Sequence, residues 1–138
     1  MENVGIWIDK KNAFLIFLKA DTSILKEVIS EIEDYHPHGG SGSKMKGGPQ
    51  DVVQDDTYLE REKNQLKNYF KEVASLLSSA KNIVIFGPSL TPEKLQQELK
   101  ERFPEIEKHV LDVIKADSMT ENQRIALVKN YFITHRIL

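Results

Sequence analysis

The 138-residue chain contains no cysteine, which excludes disulfide bonds and thiolate metal sites. It also lacks a long apolar segment: the longest run covers residues 13–18, whereas a membrane helix needs about 20 residues. Its first residues, Met1-Glu2-Asn3, lack the basic start of a signal peptide. Positive charge is not in excess either, since the net charge is -2 at pH 7 and the pI is about 6.1. We therefore expect a cytoplasmic protein without a membrane partner, in which any contact with nucleic acid comes from a local patch.

The composition that remains is that of a globular domain. Hydrophobic residues make up 40% and charged residues 29% of the chain, unlike the apolar-poor composition of disordered chains. Domains commonly have about 100–150 residues. We therefore predict a single domain over residues 1–138.

Hydrophobic patterning predicts a β-hairpin, a third strand, and then alternating helices and strands. The hairpin is expected because two apolar runs flank a polar turn with Asp9 and Asn12, residue types that favour turns. For the third strand a helix is the open alternative. The predicted elements are strands at 4–8, 13–18 and 26–32, a helix from Asp55, a strand at 83–86, a helix capped by Thr91 and ending before Pro104, a strand at 110–114, and a helix capped by Ser118 or Thr120.

This β-β-β-α-β-α-β-α order predicts an α/β fold with a mixed five-stranded sheet flanked by helices. The alternation of strand and helix in the second half implies right-handed parallel crossovers. The first three strands are expected to form an antiparallel meander. The resulting topology is ribonuclease-H-like. Many unrelated functions share it, so it assigns none by itself.

A glycine-rich segment separates the third strand from the first helix. Five of the seven glycines lie between residues 36 and 50, where too few apolar side chains are present to offset the entropy of ordering. We therefore predict a flexible loop at about 36–54; such long loops are usually functional or disordered. Its potential phosphate partners are His36, His38, Lys44 and Lys46. The alternative is a surface loop without a partner.

A set of acidic residues and the segment before the second helix are two further candidate sites, each of which also has a purely structural interpretation. Asp9 ends the first strand, where ribonuclease-H-like nucleases carry a catalytic aspartate, and Glu31, Asp112 and Asp117 are further candidate Mg²⁺ ligands. Because no sequence spacing connects these acids, we interpret Asp9 as a turn residue and expect neither a metal nor a cofactor. Residues 87–89 precede a helix, but they are interpreted as a plain βα turn rather than an anion site.

Three blocks of sequence resemble the middle domain of archaeal-eukaryotic class I release factors and of Pelota, in a stand-alone bacterial form. Residues 12–17 resemble its second strand after a polar turn, and residues 36–41 resemble the loop in which a histidine precedes a Gly-Gly-Gln tip. Residues 84–89 with 94–99 resemble the strand, small-residue turn and helix on the far side. Ser41 stands where the family has the glutamine of the tip.

The resemblance implies an accessory factor of translation directed at the ribosome or tRNA. In the family, the loop enters the peptidyl-transferase centre and a backbone N–H of the tip positions the hydrolytic water. The implied catalytic residues are Gly39, Gly40 and Ser41, and the implied RNA-binding residues are His36, His38, Lys44 and Lys46. Without the Gln side chain we expect binding with weak or no peptidyl-tRNA hydrolysis, so whether the protein is an enzyme stays open. The alternatives are a ribonuclease-H-like metal-dependent nuclease and a non-catalytic interaction module.

Overall fold

The computed structural model describes the backbone of residues 2–20, 22–32 and 48–137, and the side chains of the same residues except 48–58. The described elements are β1 (Glu2–Ile8), β2 (Asn12–Leu18), β3 (Ser23–Ile29), α1 (Gly48–Ser75), β4 (Ala80–Gly87), α2 (Thr91–Arg102), α3 (Pro104–Glu107), β5 (Val110–Lys115) and α4 (Glu121–Thr134). Within these ranges, no helix is long and apolar enough to span a bilayer.

The strands form one mixed sheet in the order β3-β2-β1-β4-β5. β1 and β2 form an antiparallel hairpin that β3 extends, and β4 lies parallel to both β1 and β5. β4 is an interior strand, as its continuous apolar run predicted, and residues 83–87 are buried. The predicted five-stranded mixed sheet flanked by helices is therefore confirmed.

Two apolar layers cover the two faces of the sheet, because successive strand residues point to opposite faces. On β1, Ile6 and Ile8 belong to the layer that contains α1 and α2, whereas Trp7 belongs to the layer that contains α4. The helical residues of the first layer include Tyr69, Phe70, Val73, Ala74, Leu95 and Leu99. The second layer is closed by Val128 and Phe132 of α4. Helices α1 and α2 thus pack side by side on one face.

Two elements differ most from their predicted boundaries. The third strand is a strand rather than a helix, but it spans Ser23–Ile29 instead of 26–32, because it pairs with β2 along its whole length, from Leu18–Ser23 to Asn12–Ile29. Helix α1 begins at Gly48, so residues 48–54 of the predicted loop are helical. Pro49 is tolerated there, since the first N–H groups of a helix have no partner within it. No glycine or proline follows until the helix ends.

The helix starts also refine the predicted caps. The N-cap residue of α2 is Leu90 rather than Thr91, without a capping hydrogen bond from a described side chain, and a proline occupies the first turn. Of the two registers predicted for α4, the structure selects the one with Thr120 as N-cap. The Thr120 hydroxyl accepts a bond from Gln123 N at 3.2 Å, and Gln123 Oε1 accepts one from Thr120 N at 2.9 Å.

Candidate functional site

The residues that the sequence assigns to the site lie outside the part of the chain that the structure describes. This applies to His36, His38, Gly39, Gly40, Ser41, Lys44 and Lys46. The structure does describe the backbone that leads to them. Ser30 follows β3, and it donates from its backbone N to Lys11 O at 2.8 Å and from Oγ to Lys10 O at 2.7 Å. The chain therefore enters the glycine-rich segment from the same end of the sheet as the carboxyl end of β1.

The turn between β1 and β2 is held by Asp9 and Tyr69. Asp9 Oδ1 accepts bonds from the backbone N–H groups of Lys11 and Asn12, both at 2.8 Å. Its carbonyl accepts a bond from the Tyr69 hydroxyl at 2.8 Å. Burial raises the pKa of Tyr69, and the nearby charge of Asp9 adds to this effect, so the phenol stays protonated and donates. Asp9 is thus the turn residue that the sequence predicted.

The four candidate metal-binding acids do not converge. Glu31 follows β3 and Asp112 lies on β5, and these strands are the opposite edges of the sheet. Asp112 Oδ1 accepts a bond from Val113 N at 3.0 Å, and the Asp117 carbonyl accepts one from the Trp7 indole at 3.1 Å. No group of three or more His, Asp or Glu side chains that could hold a metal ion is found among the described residues. The nuclease alternative thus gains no support from their positions.

A cleft of about 550 Å³ opens where the parallel strands β1 and β4 reach their carboxyl ends. In open α/β sheets, ligands characteristically bind just outside the carboxyl ends of the strands. The turn after β1, the turn after β4, the start of α2 and the side of α1 form its walls. The lining residues are Asp9, Lys10, Lys11, Glu62, Leu66, Pro88, Ser89, Leu90, Thr91 and Lys94. The cleft therefore combines cationic, hydroxyl and carboxylate groups beside the approach to the glycine-rich segment.

The shape of this cleft depends on Gly87. Its φ of 155° is one that L side chains rarely adopt, and a Cβ there would collide with the carbonyl oxygen of Ile8. Glycine therefore lets the turn after β4 pack directly against the end of β1. Ser89, with a φ of 56°, then redirects the chain into α2. The 87–89 segment is a βα turn as predicted, and it also forms a wall of the cleft.

A second depression of about 370 Å³ adjoins the cleft between α1 and α2. It is lined by Lys63, Leu66, Lys67, Phe70, Lys94, Gln97, Glu98 and Glu101. Sequence reasoning did not single out its lysines. The available signal was the i,i+4 spacing of Lys63 and Lys67, which places both on one face of a helix.

Comparison with known proteins relates this fold to translation factors. No protein-family model matches the chain, and no curated protein matches it. The crystal structure of Archaeoglobus fulgidus Pelota is similar, with a TM-score of 0.61 and 19% identity, over 99% of this chain and 32% of that protein. The archaeal translation termination factor aRF1 gives a TM-score of 0.55 and 12% identity, over 99% and 40%. A structure described as an archaeal protein gives 0.54 and 15%, over 94% and 34%.

The chain thus spans between about a third and two fifths of the length of these proteins. At such low identities the similarity concerns the fold. The chain has the fold of one domain of Pelota and of aRF1, which confirms the fold that the resemblance implied.

Proposed function

We propose that the protein is a release-factor-like accessory factor of translation that binds the ribosome or its tRNA through residues 36–46. The observation that carries the proposal is the fold shared with Pelota and aRF1 over 99% of the chain. His36 and the Gly39-Gly40 pair lie between β3 and α1, where the sequence resembles the release-factor loop. The proposed place of action is the cytoplasm.

The roles within the segment follow from its residue types. Gly39 and Gly40 allow the backbone to approach RNA closely, because they carry no side chain. His36, His38, Lys44 and Lys46 are proposed to contact phosphates. Ser41 keeps a backbone N–H that can orient water, but it lacks the amide of glutamine. Since misplacement of a reacting group by about 1 Å can lower a rate on the order of a hundredfold, we propose binding with weak or no hydrolysis of peptidyl-tRNA.

Co-sedimentation with ribosomes that carry peptidyl-tRNA tests this proposal. We expect wild-type protein to co-sediment at low salt, and Lys44→Ala/Lys46→Ala to bind more weakly. The slope of log affinity against log salt concentration should fall by up to about two in the double variant, because each neutralised phosphate contact releases counterions. Lys81→Ala/Lys129→Ala is the matched control, since these exposed lysines lie elsewhere on the surface.

Hydrolysis is measured in the same reactions. Ser41→Gln should release more peptide than wild type if the missing amide limits the reaction. Absence of wild-type binding at low salt would refute the ribosome-directed function. Vigorous hydrolysis by wild type would show that the glutamine side chain is dispensable here, and would make the protein an enzyme.

A further inference from the structure

The cleft and the adjoining depression lie side by side and share Leu66 and Lys94 in their linings, so we treat them together as one extended groove. The groove starts at the carboxyl end of β1 and follows the seam between α1 and α2. Five lysines line it, contributed by three separate elements: Lys10 and Lys11 from the β1–β2 turn, Lys63 and Lys67 from α1, and Lys94 from α2. We call it the lysine groove.

Two of the four carboxylates that line the lysine groove are in ion pairs. Glu62 is 3.3 Å from Lys10 Nζ, and Glu98 Oε2 is 3.2 Å from Arg102 Nε, although this buried oxygen accepts no hydrogen bond within the described part of the chain. Glu101 accepts a bond from the neutral Gln97 amide at 2.7 Å. Asp9 accepts bonds from the two backbone N–H groups of its turn, which, like the Gln97 amide, are neutral donors and add no positive charge.

The lysines along the α1–α2 seam differ from Lys10, which forms an ion pair with Glu62. Within the described residues, Lys63, Lys67 and Lys94 form no ion pair. Lys63 and Lys67 are one helical turn apart, a rise of about 6 Å, and Lys94 faces them from the other wall. Five lysines and four carboxylates line the groove, so its lining has an excess of one positive charge although the whole chain is slightly acidic. The three lysines that form no ion pair among the described residues lie along the α1–α2 seam.

We propose that the lysine groove binds the phosphate backbone of a structured RNA. The proposal rests on the proposed function and adds a second contact surface to it. Cations distributed along a groove fit a chain of phosphates better than one small anion, because each ammonium group then meets its own charge. Ser89 and Thr91 add hydroxyl donors at the cleft end. The groove also adjoins the approach to residues 36–46, since Ser30 is bonded to the carbonyls of Lys10 and Lys11.

The test compares Lys63→Gln/Lys67→Gln/Lys94→Gln with Lys81→Gln/Lys100→Gln/Lys129→Gln in the full chain. Both triple variants lose the same charge at exposed or half-buried positions, but only the first alters the groove. The probes are ribosomes, measured by sedimentation, and bulk tRNA, measured by fluorescence anisotropy, each over a series of salt concentrations. We expect the groove variant to reduce the salt slope by about two to three. At about 0.1 M salt its affinity should fall by up to about eightfold for each lost contact, from the counterion exponent of about 0.9 per phosphate. The control variant should bind like wild type.

The outcomes separate this inference from the proposed function. Wild-type binding to ribosomes with an unchanged slope in the groove variant would overturn the lysine groove and leave the proposed function intact. Failure of wild type to bind ribosomes or tRNA would overturn both. Displacement of RNA by polyglutamate at equal charge concentration would assign the groove to an acidic protein surface instead. If the triple variant does not fold by circular dichroism, the single variants Lys63→Gln and Lys94→Gln must each lower the slope by about one, and equality with wild type would refute the proposal.

Discussion

Replacement of Gly5 by alanine tests the packing of α4 on the sheet. Gly5 lies in β1 on the face covered by α4, and a Cβ at this position would be 2.5 Å from Val128 Cγ1 and 2.9 Å from Val128 Cβ. Carbon atoms in contact prefer about 3.5–4.0 Å, so the helix would have to retreat by about 1 Å. Overpacking of this kind costs about 1–3 kcal/mol, whereas exchanging glycine for alanine in a strand returns about 0.5–1 kcal/mol. We expect Gly5→Ala to lower the free energy of unfolding by about 1–2 kcal/mol.

A double-mutant cycle with Val128→Ala gives the reasoning a sharper test. Val128 is fully buried, so its truncation alone should cost about 2–3 kcal/mol from lost burial and a residual cavity. The methyl group added by Gly5→Ala would then occupy part of the vacated space. Val128→Ala removes the contacts with the two Cγ atoms but keeps the 2.9 Å contact with Val128 Cβ. The double variant should therefore be less destabilised than the sum of the single variants, with a coupling of about 1 kcal/mol.

Urea unfolding followed by circular dichroism and by the fluorescence of Trp7, the single tryptophan, measures both effects. Trp7 lies in the same apolar layer as Val128 and reports on it directly. The matched control is Val28→Ala, since Val28 is buried in the layer on the opposite face. It should combine additively with Gly5→Ala. Additivity of Gly5→Ala with Val128→Ala as well would refute the steric explanation.

Three further predictions concern the turn at Asp9 and the cap of α4. Tyr69→Phe should lower the free energy of unfolding by about 0.5–1.5 kcal/mol at pH 7, because the bond to the Asp9 carbonyl is lost. Since burial raises the pKa of Tyr69, the stability that the phenol contributes in wild type should be full below about pH 10 and fall as pH rises above it. Denaturant titrations over this pH range should show a smaller decline in the variant. Thr120→Ala should lower the free energy of unfolding by about 1 kcal/mol while Thr120→Ser retains it, and equal losses in both would contradict the capping box. Asp9→Ala should lower the free energy of unfolding by about 1–3 kcal/mol, and Asp9→Asn should lower it by less, because Asn keeps an acceptor for Lys11 N and Asn12 N. Mg²⁺-dependent RNA cleavage by wild type that disappears in folded Asp9→Asn would support the nuclease alternative.

Most of the sheet could be predicted from the sequence, because an interior strand and a hairpin turn each have a characteristic local pattern of apolar and polar residues. The continuous apolar run at 83–86 indicated an interior strand, and β4 is interior and paired on both sides. Asp9 and Asn12 indicated the turn of the hairpin, which the Asp9 carboxylate holds. The hairpin turn forms through contacts between residues close in sequence, and the interior position of β4 follows from the apolar residues of the strand itself. Both features could therefore be predicted from short stretches of sequence.

The errors occurred where local signals conflict. Gly48 and Pro49 are typical of loops, yet both are compatible with a helix start, so α1 begins earlier than predicted. Thr91 is a good N-cap residue type, but the chain enters the helix one residue earlier, at Leu90. The lysine groove was not predictable from spacing, because Lys94 meets the lysines of α1 only through the packing of two helices on one sheet face.

Helix α1 fixes the distance between the groove lysines and Gly48, the residue at which the described part of the chain resumes after residue 32. It is continuous from Gly48 to Ser75, so Lys63 lies about 22 Å along its axis from Gly48, at a rise of about 1.5 Å per residue. The glycine-rich segment joins the helix at Gly48, whereas the groove lysines lie near the sheet. Contributions to binding are usually additive at separations beyond about 7–10 Å, so a double-mutant cycle between Lys44→Ala/Lys46→Ala and the groove variant reports whether the two sets of lysines contact RNA independently. The same cycle is measured on whole tRNA and on a short single-stranded oligonucleotide. Additive losses on whole tRNA, with no loss from the groove variant on the oligonucleotide, would support a folded RNA as the partner of both sets of lysines, whereas equal losses on the two probes would contradict it.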